Sequence, residues 1–335
     1  MIAKAIHIAV DVMGGDYGPS VTVPAVIKAL SESPALTVTL LGRTTLFEKQ
    51  FNNQLSVFGD RVRYIDCADE VGMDEKPSYA LRHKKESSMF LSVAMVGRNE
   101  ADACVSAGNT GALMAIGMFV IKTFRGIDRP AVCAEMPTEK GSCLMLDLGA
   151  NVDCRAEHLS QFAVMGSVMA NSMKQINHPK IGLLNIGEEE SKGNEQVRLA
   201  AGLLEKNKNI NYIGFIEGDD IYKGDVDVVI CDGFVGNAVL KASEGVARLV
   251  GQKINQSIER SWLTKVQALL SRSLFKELQK QIDPSRYNGA SILGLRKVII
   301  VSHGKADIQG FCNAILLACR QVEEDLPEKI QLRLS

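Results

Sequence analysis

The sequence predicts an α/β fold in which helices cover both faces of a mainly parallel β-sheet. Short apolar runs rich in β-branched residues alternate with segments of helical spacing along most of the chain, which is typical of such sheets. Several of these runs end directly in glycine with asparagine or aspartate. With 335 residues, 46% apolar content and a net charge of −1, the chain can bury a large core and has no general attraction to nucleic acid.

The strands and helices follow from periodicity. The runs predict strands over 6–10, 36–41, 62–65, 103–105, 131–135, 143–146, 181–184, 212–215, 226–230 and 298–301. A helix is expected after Pro19, a long one over 78–97, and a closing one over 308–322. The basic cluster at 82–85 in the long helix is either a solvated face or a docking surface for an acidic partner.

Five strand ends carry the polar and glycine residues that we expect to bind substrate. They begin near 11, 106, 147, 185 and 232. Because the carboxyl ends of parallel strands lie at one edge of a sheet, we expect these loops to form a common rim, where backbone N–H groups can hold an anion. The candidate substrate-binding residues are Asp11, Gly14, Gly15, Asp16, Ser106, Gly108, Asn109, Thr110, Asp147, Gly149, Asn151 and Gly193.

Several function classes are disfavoured by missing motifs. No strand is followed by Gly-x-Gly-x-x-Gly, and neither a Gly-x-x-x-x-Gly-Lys loop nor a Gly-x-Ser-x-Gly elbow is present. The five histidines lack metal-ligand spacing, so no metal and no cofactor are expected. Eight cysteines form no Cys-x-x-Cys pair and predict buried, reduced thiols in a cytosolic protein. We expect neither a signal peptide nor a transmembrane helix.

Five motifs together resemble the phosphate acyltransferase family of bacterial phospholipid synthesis, the PlsX family. They are Asp-Val-Met-Gly-Gly-Asp-Tyr-Gly-Pro at 11–19, Ser-Ala-Gly-Asn-Thr-Gly-Ala-Leu at 106–113, Asp-Leu-Gly-Ala-Asn-Val-Asp at 147–153, the 183–195 segment from Leu-Leu-Asn-Ile-Gly to Lys-Gly-Asn-Glu, and Asp-Gly-Phe-Val-Gly-Asn at 232–237. The resemblance spans nearly the whole chain. Two departures are Val12, where the family usually has alanine, and the absence of a lysine at Ile300 or Val301.

The resemblance implies transfer of a long-chain fatty acyl group from acyl carrier protein to inorganic phosphate. The acyl-phosphate product would serve the acylation of glycerol-3-phosphate by a downstream glycerol-3-phosphate acyltransferase. The fold implied is a Rossmann-like three-layer α/β/α sandwich, similar to phosphotransacetylases and isocitrate dehydrogenases. A homodimer lying peripherally on the inner, cytoplasmic face of the cell membrane is implied as well.

The catalytic hypothesis centres on Lys192, which we expect to neutralise the phosphate or the thioester oxyanion. A thioester is already activated, so phosphate needs positioning more than a strong base. The candidate catalytic residues are Lys192, Asn194, Asn237 and Asp232. The two aspartates Asp147 and Asp232 either orient a lysine or amide or cap their loops. His303 is interpreted as structural, with proton transfer as the alternative.

The segment 246–283 differs from the rest of what we expect to be a single domain over 1–335. Its first part, over 246–258, carries apolar residues on more than one face, and we expect helices near 239–258 to form much of a two-fold dimer interface. From 246 to 282 it holds seven lysines and arginines against two glutamates. The candidate membrane-facing residues are Trp262, Leu263, Val266, Leu269 and Leu270, on a basic amphipathic helix suited to an anionic membrane surface. The alternative is a helical hairpin that packs on the dimer partner.

Two other functions remain open at this point. A non-catalytic phosphate- or nucleotide-binding regulator would need the glycine and asparagine rim but not Lys192. A phosphotransacetylase-like enzyme acting on acyl-CoA would need the rim but not the basic amphipathic segment.

Overall fold

A computed structural model describes residues 5–259 and 287–334 and contains one eleven-stranded sheet. The strands are β1 (Ile6–Asp11), β2 (Leu36–Gly42), β3 (Val62–Asp66), β4 (Ala103–Ser106), β5 (Ala131–Thr138), β6 (Gly141–Leu146), β7 (Lys180–Leu184), β8 (Asn211–Ile216), β9 (Val228–Ile230), β10 (Ala290–Leu293) and β11 (Val298–Val301). The α-helices of the described residues are α1 (Pro19–Glu32), α2 (Glu48–Leu55), α3 (Pro77–His83), α4 (Ser88–Gly97), α5 (Thr110–Val120), α6 (Ala156–Lys174), α7 (Glu195–Lys206), α8 (Asp220–Lys223), α9 (Gly233–Glu259), α10 (Ile308–Glu323) and α11 (Leu326–Leu334).

The sheet is mainly parallel, as the sequence predicts. Its order is β3-β2-β1-β4-β11-β10-β5-β6-β9-β7-β8, and seven of the ten neighbouring pairs are parallel. Central strands such as Ala103–Ser106 and Val298–Val301 are buried along their whole length, as expected for strands covered on both faces. Apolar helix faces pack on both sides, and the prediction of an α/β/α arrangement is confirmed.

The two halves of the sheet run in opposite directions. The reversal comes from β10, which is antiparallel to β11 and β5, and from the β5–β6 hairpin, in which Thr138 pairs with Gly141. Gly141 has φ +139°, a conformation open to glycine. Strands β1, β4 and β11 therefore end at one edge of the sheet, the first edge, and β6, β9 and β7 end at the opposite edge, the second edge.

The prediction of one common rim is wrong for this reason. The loops that begin near 11 and 106 lie on the first edge, and the loops near 147, 185 and 232 lie on the second. A six-residue strand such as Ile6–Asp11 spans about 20 Å, so the two groups of loops are separated by roughly the length of a strand.

Two further predictions need correction. The helix expected over 78–97 is two helices, α3 and α4, and Ser87 begins the second by accepting a hydrogen bond from Phe90 N–H at 3.2 Å. Strand β10 was not predicted at all. The other strands appear with ends shifted by up to three residues.

Helix α9 crosses one face of the sheet from the second edge toward the first. It begins directly after β9, and further along Lys241 reaches His303, which follows β11. Beyond that point it carries exposed apolar side chains, Val246, Leu249 and Val250. Most of the expected membrane-facing segment, including Trp262, Leu263, Val266, Leu269 and Leu270, lies outside the described residues. Among the described helices, none is long and apolar enough to cross a bilayer.

Candidate functional site

The first edge is organised by the buried carboxylate of Asp11. It accepts hydrogen bonds of 2.6 Å from Ser88 Oγ and from Ser106 Oγ, which connects the ends of β1 and β4 to the start of α4. Burial raises the pKa of this carboxyl, and the hydrogen bonds from Ser106 and Ser88 oppose that shift. Ser106 Oγ in turn accepts from Gly108 N–H at 3.0 Å. Asp11 and Ser106 therefore shape the loop backbone, and their polar atoms are occupied within the protein.

The glycines of this edge allow two loops to touch. A Cβ atom on Gly14 would lie 2.6 Å from Gly108 N, so only glycine fits there. Asp16 N–H donates to Gly304 O at 2.8 Å, while the Asp16 and Thr110 side chains are exposed. The close packing leaves little space between the loops themselves.

Asn109 has two structural tasks. Its Oδ1 accepts from Ala112 N–H at 3.0 Å and so caps α5. Its Nδ2 donates to Met73 O at 2.8 Å and Glu75 O at 2.9 Å, which fixes the loop before α3. In this arrangement the amide is not free to donate to a substrate.

A cluster of charged side chains joins α9 to the first edge. Lys241 Nζ lies 3.1 Å from Glu244 Oε2 and 3.2 Å from His303 Nε2, which is itself 3.6 Å from Glu244 Oε2. His303 Nδ1 accepts from Lys305 N–H at 3.0 Å, so in the neutral ring Nε2 carries the proton and faces Glu244. Both ring nitrogens are thus engaged, which favours the structural interpretation of His303.

Glu244 is expected to make the protein sensitive to acid. The hydrogen bond from His303, followed by that from Lys241, lowers the pKa of Glu244 from 4.5 to about 2, against the effect of burial. A lowered carboxyl pKa stabilises the fold fully above pH 4.5, and this contribution is lost as pH falls toward 2. Since Lys241 and His303 are half exposed, we expect this contribution of Glu244 to the free energy of unfolding to be about 1–2 kcal/mol. Chemical denaturation of wild type and Glu244→Gln at pH 7 and pH 3 measures it; equal losses of stability on acidification would contradict it.

The second edge is built around Asp147, which is fully buried. Its Oδ1 accepts from Val132 N–H and Ala150 N–H, both at 3.0 Å. Its Oδ2 accepts from the N–H of Asn151 at 2.7 Å and from Asn151 Nδ2 at 2.9 Å. Burial raises the pKa of Asp147, and these hydrogen bonds oppose that shift. With four hydrogen bonds accepted inside the protein, its geometry favours the loop-capping alternative over substrate contact.

The same loop holds the beginning of α9. Asn151 O accepts from Gly233 N–H at 2.8 Å, and a Cβ on Gly233 would lie 2.6 Å from that oxygen. Asp232 Oδ1 accepts from Val235 N–H at 2.8 Å and caps the first turn. Asn237, one turn further on, is exposed and packs beside Gly149, whose φ is +116°. Asn237 therefore stands at a helix N-terminus that faces solvent, where an anion is stabilised.

Lys192 lies on the neighbouring loop. The loop follows β7, which is hydrogen-bonded to β9, so it adjoins the Asp232 loop along the edge. Asn185 Nδ2 donates to Lys192 O at 3.3 Å, and Gly193, at φ +86°, approaches Asn185 so closely that no side chain fits. Asn194 Oδ1 accepts from Val197 N–H at 2.9 Å and caps α7. The lysine side chain itself is exposed.

The structure therefore brings the four candidate catalytic residues to one edge and divides the candidate substrate-binding residues. With Lys192, Asn194, Asn237 and Asp232 on the second edge lie Asp147, Gly149, Asn151 and Gly193. On the first edge lie Asp11, Gly14, Gly15, Asp16, Ser106, Gly108, Asn109 and Thr110. Two helix N-termini and the exposed Lys192 beside them form an arrangement that can bind an anion and stabilise an oxyanion.

The cysteines match the prediction of buried thiols. All eight are free, seven are buried, and Cys154 is half-buried. Cys154 lies beside the Asp232 loop, and burial raises its pKa to about 12. A thiol of that pKa is a poor nucleophile at neutral pH, so Cys154 is unsuited to forming an acyl-enzyme. Among the described residues, no three His, Cys, Asp or Glu side chains are grouped as a metal site.

Three residues with clear roles were missed by sequence reasoning. Ser88 fixes Asp11, Asn185 holds the Lys192 loop, and Glu244 pairs with Lys241 and His303. Asn185 lies inside the 183–195 motif, so the sequence could have identified it as a candidate residue. Ser88 has no local signal, since it acts on Asp11, 77 positions away. The spacing of Glu244 three residues after Lys241 indicates that pair, but the contact with the distant His303 has no signal in the sequence.

The chain is similar in fold to solved phosphotransacetylases. A phosphotransacetylase from Streptococcus pyogenes superposes with a TM-score of 0.60 at 18% identity, covering 95% of this chain and 94% of that one. EutD phosphotransacetylase from Staphylococcus aureus gives 0.58 at 16% identity, with 95% and 94% covered. These likenesses confirm the fold class.

Sequence comparison identifies the family. The family model described as "Fatty acid synthesis protein" matches residues 6–329. Proteins named phosphate acyltransferase from Methylococcus capsulatus and Pseudomonas putida are each 49% identical over 328 residues, covering 98% of this chain and 96% and 97% of theirs. The conclusion is that the chain belongs to the phosphate acyltransferase family of fatty acid synthesis proteins.

Proposed function

We propose that the protein is an acyltransferase that moves a long-chain fatty acyl group from acyl carrier protein to inorganic phosphate. The observation that carries the proposal is the second edge, where exposed Lys192 adjoins the capped N-termini of α7 and α9. The relatives are named phosphate acyltransferases, and we take phosphate as the acyl acceptor. A lysine beside two helix N-termini stabilises an anion such as phosphate.

The proposed reaction needs positioning and charge neutralisation. A phosphate oxygen attacks the thioester carbonyl, forming a C–O bond and a tetrahedral oxyanion. The C–S bond then breaks, and the carrier thiolate takes up the proton that phosphate brought. Lys192 neutralises the phosphate or the oxyanion, and the Asn237 amide donates to the same group. Asp232 and Asn194 hold the two helix N-termini in place.

The runner-up is a phosphotransacetylase-like enzyme acting on acyl-CoA, which the shared fold favours. A direct assay separates the candidates. The purified protein is incubated with phosphate and either palmitoyl-ACP or palmitoyl-CoA, and acyl-phosphate is trapped as the hydroxamate. We expect the carrier-bound donor to be preferred. A preference for CoA would favour the runner-up, and no product from either donor would favour the phosphate-binding regulator.

We also propose a homodimer through α9. Val246, Leu249 and Val250 are 59, 53 and 42% exposed, and their spacing along α9 places them side by side as an apolar surface suited to a partner subunit. We expect Leu249→Glu to convert a dimer into a monomer, as measured by light scattering. A wild-type protein that is monomeric at micromolar concentration would contradict the proposal.

The cellular location that we propose is the cytoplasmic face of the cell membrane. The protein would be bound there peripherally through the basic amphipathic segment over 246–282. The lipophilic acyl-phosphate would pass from there to a glycerol-3-phosphate acyltransferase. Sedimentation with anionic vesicles at low and high salt tests this; recovery in the supernatant at low salt would exclude it.

A further inference from the structure

A group of exposed cations lies on the second edge, beside the proposed catalytic loops. Lys122, Arg125 and Arg129 belong to loop 121–130, and Arg296 belongs to loop 294–297. Loop 121–130 leads into the amino end of β5. Strand β6 is antiparallel to β5 and ends at Leu146, opposite Cys133 near that amino end. Asp147 follows β6, so it lies at the same edge of the sheet as loop 121–130. We call these four residues the basic patch.

The two loops of the basic patch are held together by backbone hydrogen bonds. Arg296 N–H donates to Lys122 O at 3.1 Å, and Phe124 N–H donates to Gly294 O at 3.2 Å. Arg296 Nε adds a bond of 3.0 Å to Thr123 O. The backbone that carries the cations is therefore held in one arrangement, which lowers the entropy cost of ordering these loops when a partner binds.

The charge of the basic patch is not neutralised within the described part of the chain. The acid in these two loops is Asp128, and it already pairs with Arg155 at 3.2 Å. None of the four cations makes an ion pair with any described residue. A protein with net charge −1 thus carries a local positive field beside its candidate site.

An apolar side chain lies next to the cations. Phe119, in the last turn of α5 and three residues before Lys122, is 62% exposed, and its neighbour Met118 is 39% exposed. An aromatic anchor surrounded by charged groups is the usual composition of a protein docking surface. A lipid surface favours a longer amphipathic helix with a continuous apolar face, which these loops lack.

The basic patch is connected to the proposed catalytic loops through two hydrogen bonds. Pro130 O, adjacent to Arg129, accepts from Asn151 Nδ2 at 2.8 Å. Asn151 O then accepts from Gly233 N–H at the start of α9 at 2.8 Å. A partner bound at the patch would be next to the first turns of α9, which carry Asn237.

We propose that the basic patch, with Phe119, docks the acidic carrier protein that brings the acyl thioester. The inference rests on the proposed function, because an acyl group tethered to a protein can react only if that protein docks close to the site. Charge complementarity would guide the encounter, and Phe119 would anchor the complex.

The test uses Arg125→Glu/Arg129→Glu, two exposed positions whose side chains make no hydrogen bond to the described residues. We expect the KM for palmitoyl-ACP to rise about tenfold with kcat little changed, since charges at the rim of an interface act mainly on association. With palmitoyl-pantetheine, which lacks the protein, the rate should match wild type. The control Lys49→Glu/Arg63→Glu makes the same charge change at exposed positions in α2 and in the outermost strand β3, and should leave the rates with both donors unaffected.

Direct titration of fluorescent palmitoyl-ACP supplements the kinetics and does not depend on turnover. Unchanged affinity and KM in Arg125→Glu/Arg129→Glu would overturn the docking proposal, as would an equal loss with both donors. Loss of binding to anionic vesicles with an unchanged KM would assign the patch to lipid instead. If wild type binds the carrier through these arginines yet forms no acyl-phosphate, the proposed function fails and the docking surface stands.

Discussion

Replacing Lys192 by alanine is expected to lower kcat about 10²–10³-fold, the usual cost of removing a group that stabilises a developing oxyanion. The side chain is exposed, and no described residue hydrogen-bonds to it; only the backbone of Lys192 is tied to Asn185 and Glu189. The loop should therefore keep its shape. Steady-state kinetics with palmitoyl-ACP and phosphate measure the loss.

Lys206→Ala is the matched control for Lys192. It removes the same charge at an exposed position in the last turn of α7, the helix whose N-terminus lies beside Lys192. We expect wild-type turnover from this variant and an unchanged unfolding midpoint from both. Near-normal turnover of Lys192→Ala would remove the lysine from the mechanism.

The second large effect is on stability. Asp147→Ala should lower the free energy of unfolding by about 3–5 kcal/mol, because the N–H groups of Val132, Ala150 and Asn151 would lose their acceptor in a buried place. The loop holding the start of α9 would lose its support at the same time.

Asp153→Ala is the control for this loss, since Asp153 is exposed in the same loop. We expect Asp153→Ala to change the free energy of unfolding by no more than about 0.5 kcal/mol. Urea denaturation compares the three proteins. A stable Asp147→Ala protein that cannot bind phosphate would instead assign the carboxylate to substrate binding.

Much of the fold could be predicted because local patterns determine it. Nearly every strand follows from a short apolar run, and parallel pairing follows from their alternation with helices. The short strand β10 is missed, since it lies after a change of pattern and pairs with the distant β5.

The opposite direction of the second half of the sheet could have been predicted from the spacing of two apolar runs. A crossover between parallel strands needs about a dozen residues or more, whereas the apolar runs 131–135 and 143–146 are separated by seven. The spacing therefore favours a hairpin, and a hairpin sends the ends of β6, β9 and β7 to the opposite edge. The motifs were correctly recognised, but their grouping depends on this single reversal.

The side-chain roles at the site were harder to predict. A motif shows that Asn109, Asp147 and Asn194 stand in loops that follow strands, but it does not distinguish a cap from a substrate contact. That distinction depends on partners such as Val132 for Asp147, which another part of the chain supplies.

The central claim is that phosphate itself attacks the acyl thioester, and oxygen labelling tests it most directly. The purified protein is given palmitoyl-ACP and phosphate labelled with ¹⁸O at every oxygen, and the acyl-phosphate is analysed by mass spectrometry. We predict a product that retains every labelled oxygen, since the C–O bond forms from phosphate and the C–S bond breaks. Release of free palmitate with an oxygen from water, and no labelled acyl-phosphate, would contradict the account.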